Sequence, residues 1–133
     1  MKIELNNEVK KLRNSPKNIS LFQFIVKVAR RENDFKSSII IERCHINKST
    51  FSKMKCDEEY IPSKDTLLLI ALGYKLNLDE AETLLNKGGY SLMTNRSRDI
   101  LFRLAFSRKI YDLNKVNMIL IENHLKKIGS VAS

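Results

Sequence analysis

The chain has 133 residues, 43% of them hydrophobic, and carries a formal net charge of +9 at pH 7. This length is typical of one domain, and the apolar fraction is sufficient for a buried core. No run of about 18 uncharged apolar residues occurs and residues 1–18 are polar, so neither a membrane span nor a signal peptide is expected. With only four Gly and two Pro, and long runs rich in Leu, Ile and Lys, the composition predicts an all-α fold.

Residues 1–17 form an N-terminal arm or an accessory helix, because Ile3, Val9 and Leu12 are compatible with one short apolar face. A Pro at position 16 interrupts this pattern. The basic residues of the segment fit either a solvated surface or an arm that touches phosphate. They are Lys10, Lys11, Arg13 and Lys17.

Two helices are predicted next. The first begins at Asn18 or Ser20, carries a wide apolar stripe, and ends near residues 32–34, where Asn and Asp favour a turn. The second runs from about Lys36 to Cys44, with residues 39–41 partly buried and Cys44 buried.

A short helix over about Lys48–Lys55 is the most informative element of the sequence. Asn47 is a suitable N-cap, because its side chain can accept hydrogen bonds from the first-turn amides. Ile46, Phe51 and Met54 form one apolar face. The opposite face is small, basic and polar, as expected of a helix that enters a DNA major groove. It contains Lys48, Ser49, Ser52 and Lys53.

Four more helices are predicted towards the C-terminus. Ser63 caps a core helix whose residues 66–72 are apolar on nearly all sides, and Asn77 caps a helix that ends before Gly88. A helix over Arg98–Lys109 places four apolar side chains on one face, and Asp112 caps a last helix that ends at Gly129. The four are Ile100, Leu101, Leu104 and Ala105.

Residues 46–55, with the helix before them and the segment 61–85 after them, resemble the helix-turn-helix of Cro/C1-type (XRE-family) regulators. The matching pattern is an apolar residue, a cap, basic-Ser-Thr, Ser-basic-aliphatic, a loop and then Pro-Ser before a Leu-rich helix. Short segments at residues 60–64, 76–80, 88–90 and 110–112 are similar to a bacterial subgroup with a longer helical tail. The resemblance covers roughly residues 20–129.

The resemblance implies a five-helix DNA-binding domain over residues 18–90, with two additional C-terminal helices over residues 91–133 that pack on the same domain or form a dimer surface. It implies sequence-specific binding of double-stranded DNA by a cytoplasmic transcriptional regulator, most simply a repressor that acts as a homodimer. The implied base-contacting residues are Lys48, Ser49, Ser52 and Lys53. The implied backbone-contacting residues are Lys36, Ser37, Thr50, Tyr60, Ser63 and Lys64.

Three features depart from the family pattern. Ile41 stands where a small Ala is usual, and His45 stands where Gly is usual, although His tolerates the positive φ required there. Residues 57–59 are three consecutive acids, which would oppose binding to the DNA backbone. The competing hypothesis is therefore a protein-interaction module, such as an antitoxin-like adaptor, with RNA binding as a weaker third possibility.

No enzymatic activity, metal or cofactor is predicted. His45 and His124 are far apart, and neither lies in a Cys/His spacing typical of zinc. The sequence contains no Gly-rich phosphate loop and no nucleophile elbow. Two cysteines are too few for a disulfide framework, so a reducing, cytoplasmic setting is expected.

Overall fold

The computed structural model describes residues 2–14, 19–33 and 36–129. In these ranges the backbone forms eight α-helices and no strand, which confirms the all-α expectation. The helices are α1 (Lys2–Asn14), α2 (Leu21–Arg31), α3 (Ser37–Cys44), α4 (Lys48–Cys56), α5 (Lys64–Gly73), α6 (Leu78–Lys87), α7 (Ser97–Ser107) and α8 (Leu113–Glu122). None of them is long and apolar enough to cross a membrane. The predicted arm residue Lys17 and the predicted turn residue Asp34 lie outside the described ranges.

Polar side chains cap the helices where the sequence predicted. The Asn47 side chain accepts a hydrogen bond from the Ser49 amide at 2.7 Å, and Ser63 Oγ accepts one from the Thr66 amide at 3.2 Å. Each bond satisfies an amide that has no partner within the first helical turn. The predicted caps at Asn77 and Asp112 are confirmed as well. These local bonds fix where α4, α5, α6 and α8 begin.

Helix α5 is the centre of the core. Residues 67–72 are all buried, and the helix packs against both α3 and α6. Burying one Leu or Ile side chain contributes roughly 1.5–3 kcal/mol, so this helix is a major source of stability. Since α4 in turn packs on α3, the core helix positions the short helix that carries the predicted DNA-binding face.

Helices α3 and α5 approach closely at Gly73. A Cβ atom on this residue would lie 2.8 Å from Cys44 Sγ and 3.2 Å from the Arg43 carbonyl oxygen. Arg43 Nε donates a hydrogen bond to the Gly73 carbonyl oxygen at 2.8 Å. Ile41, where the resembled family has a small residue, is half-buried against the core. The close contact on α3 is therefore made by a glycine of α5.

Ion pairs join α7 to the start of α5. Lys64 Nζ lies 2.7 Å from Asp99 Oδ1, and Arg98 donates to both Asp65 carboxylate oxygens at 2.7 and 3.2 Å. Arg98 also donates to the carbonyl oxygens of Lys126 and Lys127. The segment after α8 is thus held beside the first turn of α5.

The structure corrects two expectations about the C-terminal helices. Of the predicted apolar face of α7, Ala105 is buried and Leu101 is half-buried, whereas Ile100 and Leu104 are exposed. The buried side of the helix carries Asp99, Phe102 and Phe106 in addition to Ala105. The two Phe rings offer more apolar area than Ile and Leu, and Lys64 neutralises the buried Asp99 carboxylate. The last helix ends at Glu122 and not at Gly129, because the chain turns into the left-handed region at His124 (φ 58°).

Helix α1 forms over the segment predicted to be an arm or an accessory helix. Residues 5–11 are all exposed, including the apolar side chains of Leu5 and Val9. The described side chains of α1 therefore contribute nothing to the buried core.

Candidate nucleic-acid interface

A three-residue connection joins α3 to α4. His45 lies in the left-handed region (φ 54°), as predicted for the position where the resembled family has Gly. The amide of Ile46 donates to the Ile41 carbonyl oxygen at 3.2 Å, and the Ile46 side chain is buried. This turn closes the end of α3 and directs the chain into α4 at Asn47.

Two apolar side chains anchor α4 to the core. Phe51 and Met54 are 2% and 3% exposed, and the Phe51 ring meets the Phe22 ring edge-on, with 5.7 Å between the centroids. Because these anchors lie three residues apart, they occupy one face of the helix and leave the other free.

The structure brings all four predicted base-contacting residues together on the outer face of α4. These side chains are exposed and, with Asn47 and Cys56, line an open depression of about 630 Å³. The four are Lys48, Ser49, Ser52 and Lys53. The helix contains no acidic residue, and neither lysine forms an ion pair within the described residues. The face therefore presents two ammonium groups and two hydroxyl groups to the solvent.

Three predicted backbone-contacting residues lie beside this face. Thr50, Ser63 and Lys64 line a concavity of about 600 Å³ between the first turns of α4 and α5. The Ser63 hydroxyl is already used as a cap, and it lies 3.0 Å from the Thr66 hydroxyl. The Lys64 ammonium is used as well, since it pairs with Asp99.

The other predicted backbone-contacting residues lie on different elements. Lys36 and Ser37 begin α3, where Lys36 is exposed and Ser37 half-buried, and neither lines the concavity or the α4 depression. Tyr60 is half-buried, with Lys53 Nζ 5.9 Å from the centroid of its ring. Tyr60 thus adjoins the α4 face through Lys53.

The concavity also contains two basic residues that sequence analysis did not select. Arg98 and Lys126 line it from α7 and from the segment after α8. Lys126 is exposed and has no ion-pair partner in the described part of the chain. No local pattern marks either residue, since only the packing of α7 and of the segment after α8 brings them there.

The three consecutive acids follow α4 directly. Asp57, Glu58 and Glu59 are all exposed, and Asp57 Oδ1 accepts a hydrogen bond from the Glu59 amide at 2.9 Å. No ion pair to a cation is formed by these three side chains within the described residues. Negative charge thus stands at one end of α4, next to the basic outer face.

Neither metal nor disulfide chemistry is indicated in the described ranges. No group of three or more His, Cys, Asp or Glu side chains there is arranged to hold a metal ion. Neither Cys44, which is buried, nor Cys56, which is exposed, forms a disulfide within the described ranges.

Comparison of the chain with protein-family models, with curated proteins and with solved structures found no match.

Proposed function

We propose that this chain binds double-stranded DNA through a Cro/C1-type (XRE-family) helix-turn-helix formed by α3 and α4, and that it acts as a transcriptional regulator, most simply a repressor. The observation that carries the proposal is the outer face of α4. This short helix is anchored by Phe51 and Met54, and its solvent side is polar and basic. The left-handed His45 turn and the all-helical fold agree with the proposal.

The chemistry of the face matches what the edges of base pairs offer. The B-DNA major groove is about 12 Å wide and accepts one α-helix. Lys48 and Lys53 would donate to guanine O6 and N7, and Ser49 and Ser52 would pair with any base. The outer face lacks Arg and Gln, so sequence discrimination is expected to be modest and to depend partly on DNA shape.

Residues around α4 would hold the sugar-phosphate backbone. Lys36 and Ser37 at the start of α3, and Thr50 and Ser63 beside the concavity, are the proposed contacts. Lys64 would reach a phosphate only by leaving Asp99, so we expect it to support the fold more than the affinity. The exposed Lys126 would take its place at the edge of the concavity.

We also propose a homodimer in the cytoplasm, with no cofactor and no catalytic step. A single short helix makes few phosphate contacts, and regulators of this type bind two half-sites through two-fold symmetry. Ile100 and Leu104, 38% and 45% exposed, lie one turn apart on α7 and form the apolar face that a second copy would cover. Analytical ultracentrifugation of Leu104→Glu tests this dimer, because an unchanged dimer would exclude that face.

The direct test is binding of the purified protein to the DNA upstream of its own gene and to random DNA of equal length, over a series of salt concentrations. Specific regulation predicts tighter binding to the upstream DNA, with affinity that falls as salt rises. Lys48→Ala with Lys53→Ala should abolish the preference and leave the helical content unchanged. Equal affinity for both DNAs in the wild type would overturn the proposal.

A matched control removes the same charge elsewhere. Lys27 and Arg108 are exposed, and neither lines the α4 depression or the neighbouring concavity. Lys27→Ala with Arg108→Ala should weaken binding to both DNAs slightly and keep the preference. If the control lost the preference as well, net charge and not the α4 face would be responsible.

The second candidate function is a protein-interaction module, such as an antitoxin-like adaptor. The exposed and unneutralised acids at residues 57–59 favour it, because they repel phosphate next to the proposed reading face. It predicts negligible DNA affinity at physiological salt together with a stable complex with another protein.

A further inference from the structure

A separate groove lies away from the outer face of α4. It runs between the ends of α3 and α5, the loop that leads from α7 into α8, and α8 itself, and it has a volume of about 750 Å³. Its apolar lining comes from Leu72, Ile110, Met118 and Ile119. Pockets of roughly 300–1,000 Å³ with apolar walls and a few polar groups are typical small-molecule sites.

Cations without acidic partners line the same groove. Lys75, Lys109 and Lys115 form no ion pair in the described part of the chain. The acids in the lining are Asp112 and Glu122. The Asp112 carboxylate is used as the cap of α8, where it accepts from the amides of Asn114 and Lys115. Positive charge therefore exceeds negative charge around an apolar floor.

Two of these lysines occupy helix-ending positions. Lys75 (φ 52°) and Lys109 (φ 58°) both lie in the left-handed region, each directly after the C-cap residue of its helix, α5 or α7. The amide of each next residue closes its helix, from Leu76 to the Ala71 oxygen and from Ile110 to the Ala105 oxygen.

This helix-ending position usually holds Gly, because a Cβ atom destabilises the left-handed conformation. Helix termination alone thus favours Gly at both positions, and both lysines line one groove. Asn33, His45 and His124 have the same left-handed backbone and do not line the groove, so this conformation alone does not mark a site. Lys75 and Lys109 differ from them because both place a cation without an acidic partner at the edge of one groove.

We propose that this groove binds a small amphiphilic anion. Its apolar body would cover Leu72, Ile110, Met118 and Ile119, and its carboxylate, sulfonate or phosphate would pair with Lys75 and Lys109. The apolar floor distinguishes this ligand from a bare inorganic anion and from the nucleic-acid backbone. The proposal is independent of DNA binding, because none of the four proposed base-contacting residues lines the groove.

The experiment uses ¹⁵N-labelled full-length protein and three probes in NMR titrations. Sodium octanoate carries both the chain and the charge, octan-1-ol has the chain alone, and sodium acetate has the charge alone. Octanoate should cause saturable shifts confined to amides near residues 72–75, 109–112 and 115–122. Octanol should bind at least about tenfold more weakly, since a charge-assisted contact contributes about that factor, and acetate should cause no saturable shift. Scattered shifts, or equal binding of octanol, would overturn the proposal.

Variants of the strained lysines separate stability from binding. Lys75→Gly with Lys109→Gly should raise the unfolding midpoint, because Gly adopts the left-handed conformation freely, and should weaken octanoate binding at least about tenfold. His124→Gly is the matched control: His124 has φ 58° at the equivalent position after α8 and does not line the groove. It should raise the midpoint and leave the octanoate affinity unchanged. A double Gly variant that binds octanoate as tightly as the wild type would overturn the proposal.

Discussion

Lys64 Nζ lies 2.7 Å from Oδ1 of Asp99, a carboxylate whose side chain is 8% exposed and whose other oxygen accepts from the Met93 amide at 3.0 Å. The resemblance to Cro/C1-type regulators predicts that this lysine contacts the DNA backbone. In the structure it neutralises a buried charge and joins the first turn of α5 to that of α7. One side chain thus links the proposed DNA-binding domain to its C-terminal extension.

The first prediction concerns this ion pair. Asp99→Asn keeps an oxygen for the Met93 amide but removes the charge opposite Lys64. We expect a loss of about 1–3 kcal/mol in the free energy of unfolding, less than for a fully buried pair because the Lys64 side chain is 26% exposed. Urea unfolding followed by circular dichroism measures it. Glu58→Gln, in the exposed loop, is the control and should change the free energy by under about 0.5 kcal/mol. A similar loss of unfolding free energy in both variants would mean that the Lys64–Asp99 ion pair does not stabilise the fold.

The second prediction concerns the close contact of α3 and α5. Gly73→Ala places a Cβ atom against Cys44 Sγ and the Arg43 carbonyl oxygen, and the backbone oxygen cannot move without shifting α3. Overpacking of this kind costs about 1–3 kcal/mol, partly offset by the higher helix propensity of Ala.

Thermal unfolding of Gly73→Ala in the wild type and in a Cys44→Ala background forms a double-mutant cycle for that contact. The substitution should cost less when the sulfur is absent. An identical cost in both backgrounds would mean that the sulfur contact contributes nothing.

The third prediction distinguishes the two candidate functions. Converting Asp57, Glu58 and Glu59 to their amides removes three negative charges next to α4. For a DNA-binding protein, affinity should rise several-fold at about 0.1 M salt, since charges within roughly 10 Å remain only partly screened. Fluorescence anisotropy measures the change.

The control for this variant changes the same charge at exposed acids on other elements, namely Glu8, Asp79 and Glu122. It should raise the affinity less than the loop variant does. No rise in the loop variant, together with the loss of a protein complex, would favour the adaptor.

The fourth prediction concerns Tyr111. Burial raises the pKa of its phenol above the ordinary value of 10.0, and the negative charge of Glu80 adds to this effect. The hydroxyl donates to the Leu76 carbonyl oxygen at 2.8 Å. Near neutral pH, Tyr111→Phe should therefore lower the free energy of unfolding by about 0.5–1.5 kcal/mol.

The pH dependence of this difference follows from the sign of the shift. The stability that a raised folded-state pKa provides is fully present at a pH below the pKa of the unfolded state. It is lost as the pH rises through the pKa of the folded state. The difference in the free energy of unfolding between the wild type and Tyr111→Phe should thus become smaller above about pH 10. Urea unfolding of both proteins between pH 7 and 11 tests this, and a constant difference would show that Tyr111 does not titrate differently on folding.

The parts of the site that sequence analysis predicted depend on short-range rules. The Asn47 cap involves an amide two residues away, and the left-handed His45 follows from the way a helix ends. The two faces of α4 follow from helical spacing, which is why Phe51 and Met54 were placed inside and Lys48 and Lys53 outside. The DNA-binding role of that face is still a prediction.

The parts of the structure that sequence analysis missed depend on residues far apart in the chain. The predicted inner face of α7 was wrong for Ile100 and Leu104 but right for Ala105. Two apolar stripes compete on this helix, and only packing against the other helices selects the one with Phe102 and Phe106. Arg98 reaches the concavity because α7 packs beside the start of α5, and Lys126 reaches it through the path of the segment after α8. No periodicity marks the end of α8 at Glu122.

The sequence by itself determined the all-α class, the helix caps and the polar outer face of α4, because each depends on bonds or spacings within a few residues. Only the tertiary structure decided that Lys64 pairs with Asp99, 35 positions away, and that Lys75 and Lys109 line one groove. The physical reason is that charge pairing and cavity shape depend on which helices pack together. That packing reflects the burial of the whole core and is not encoded in any single segment.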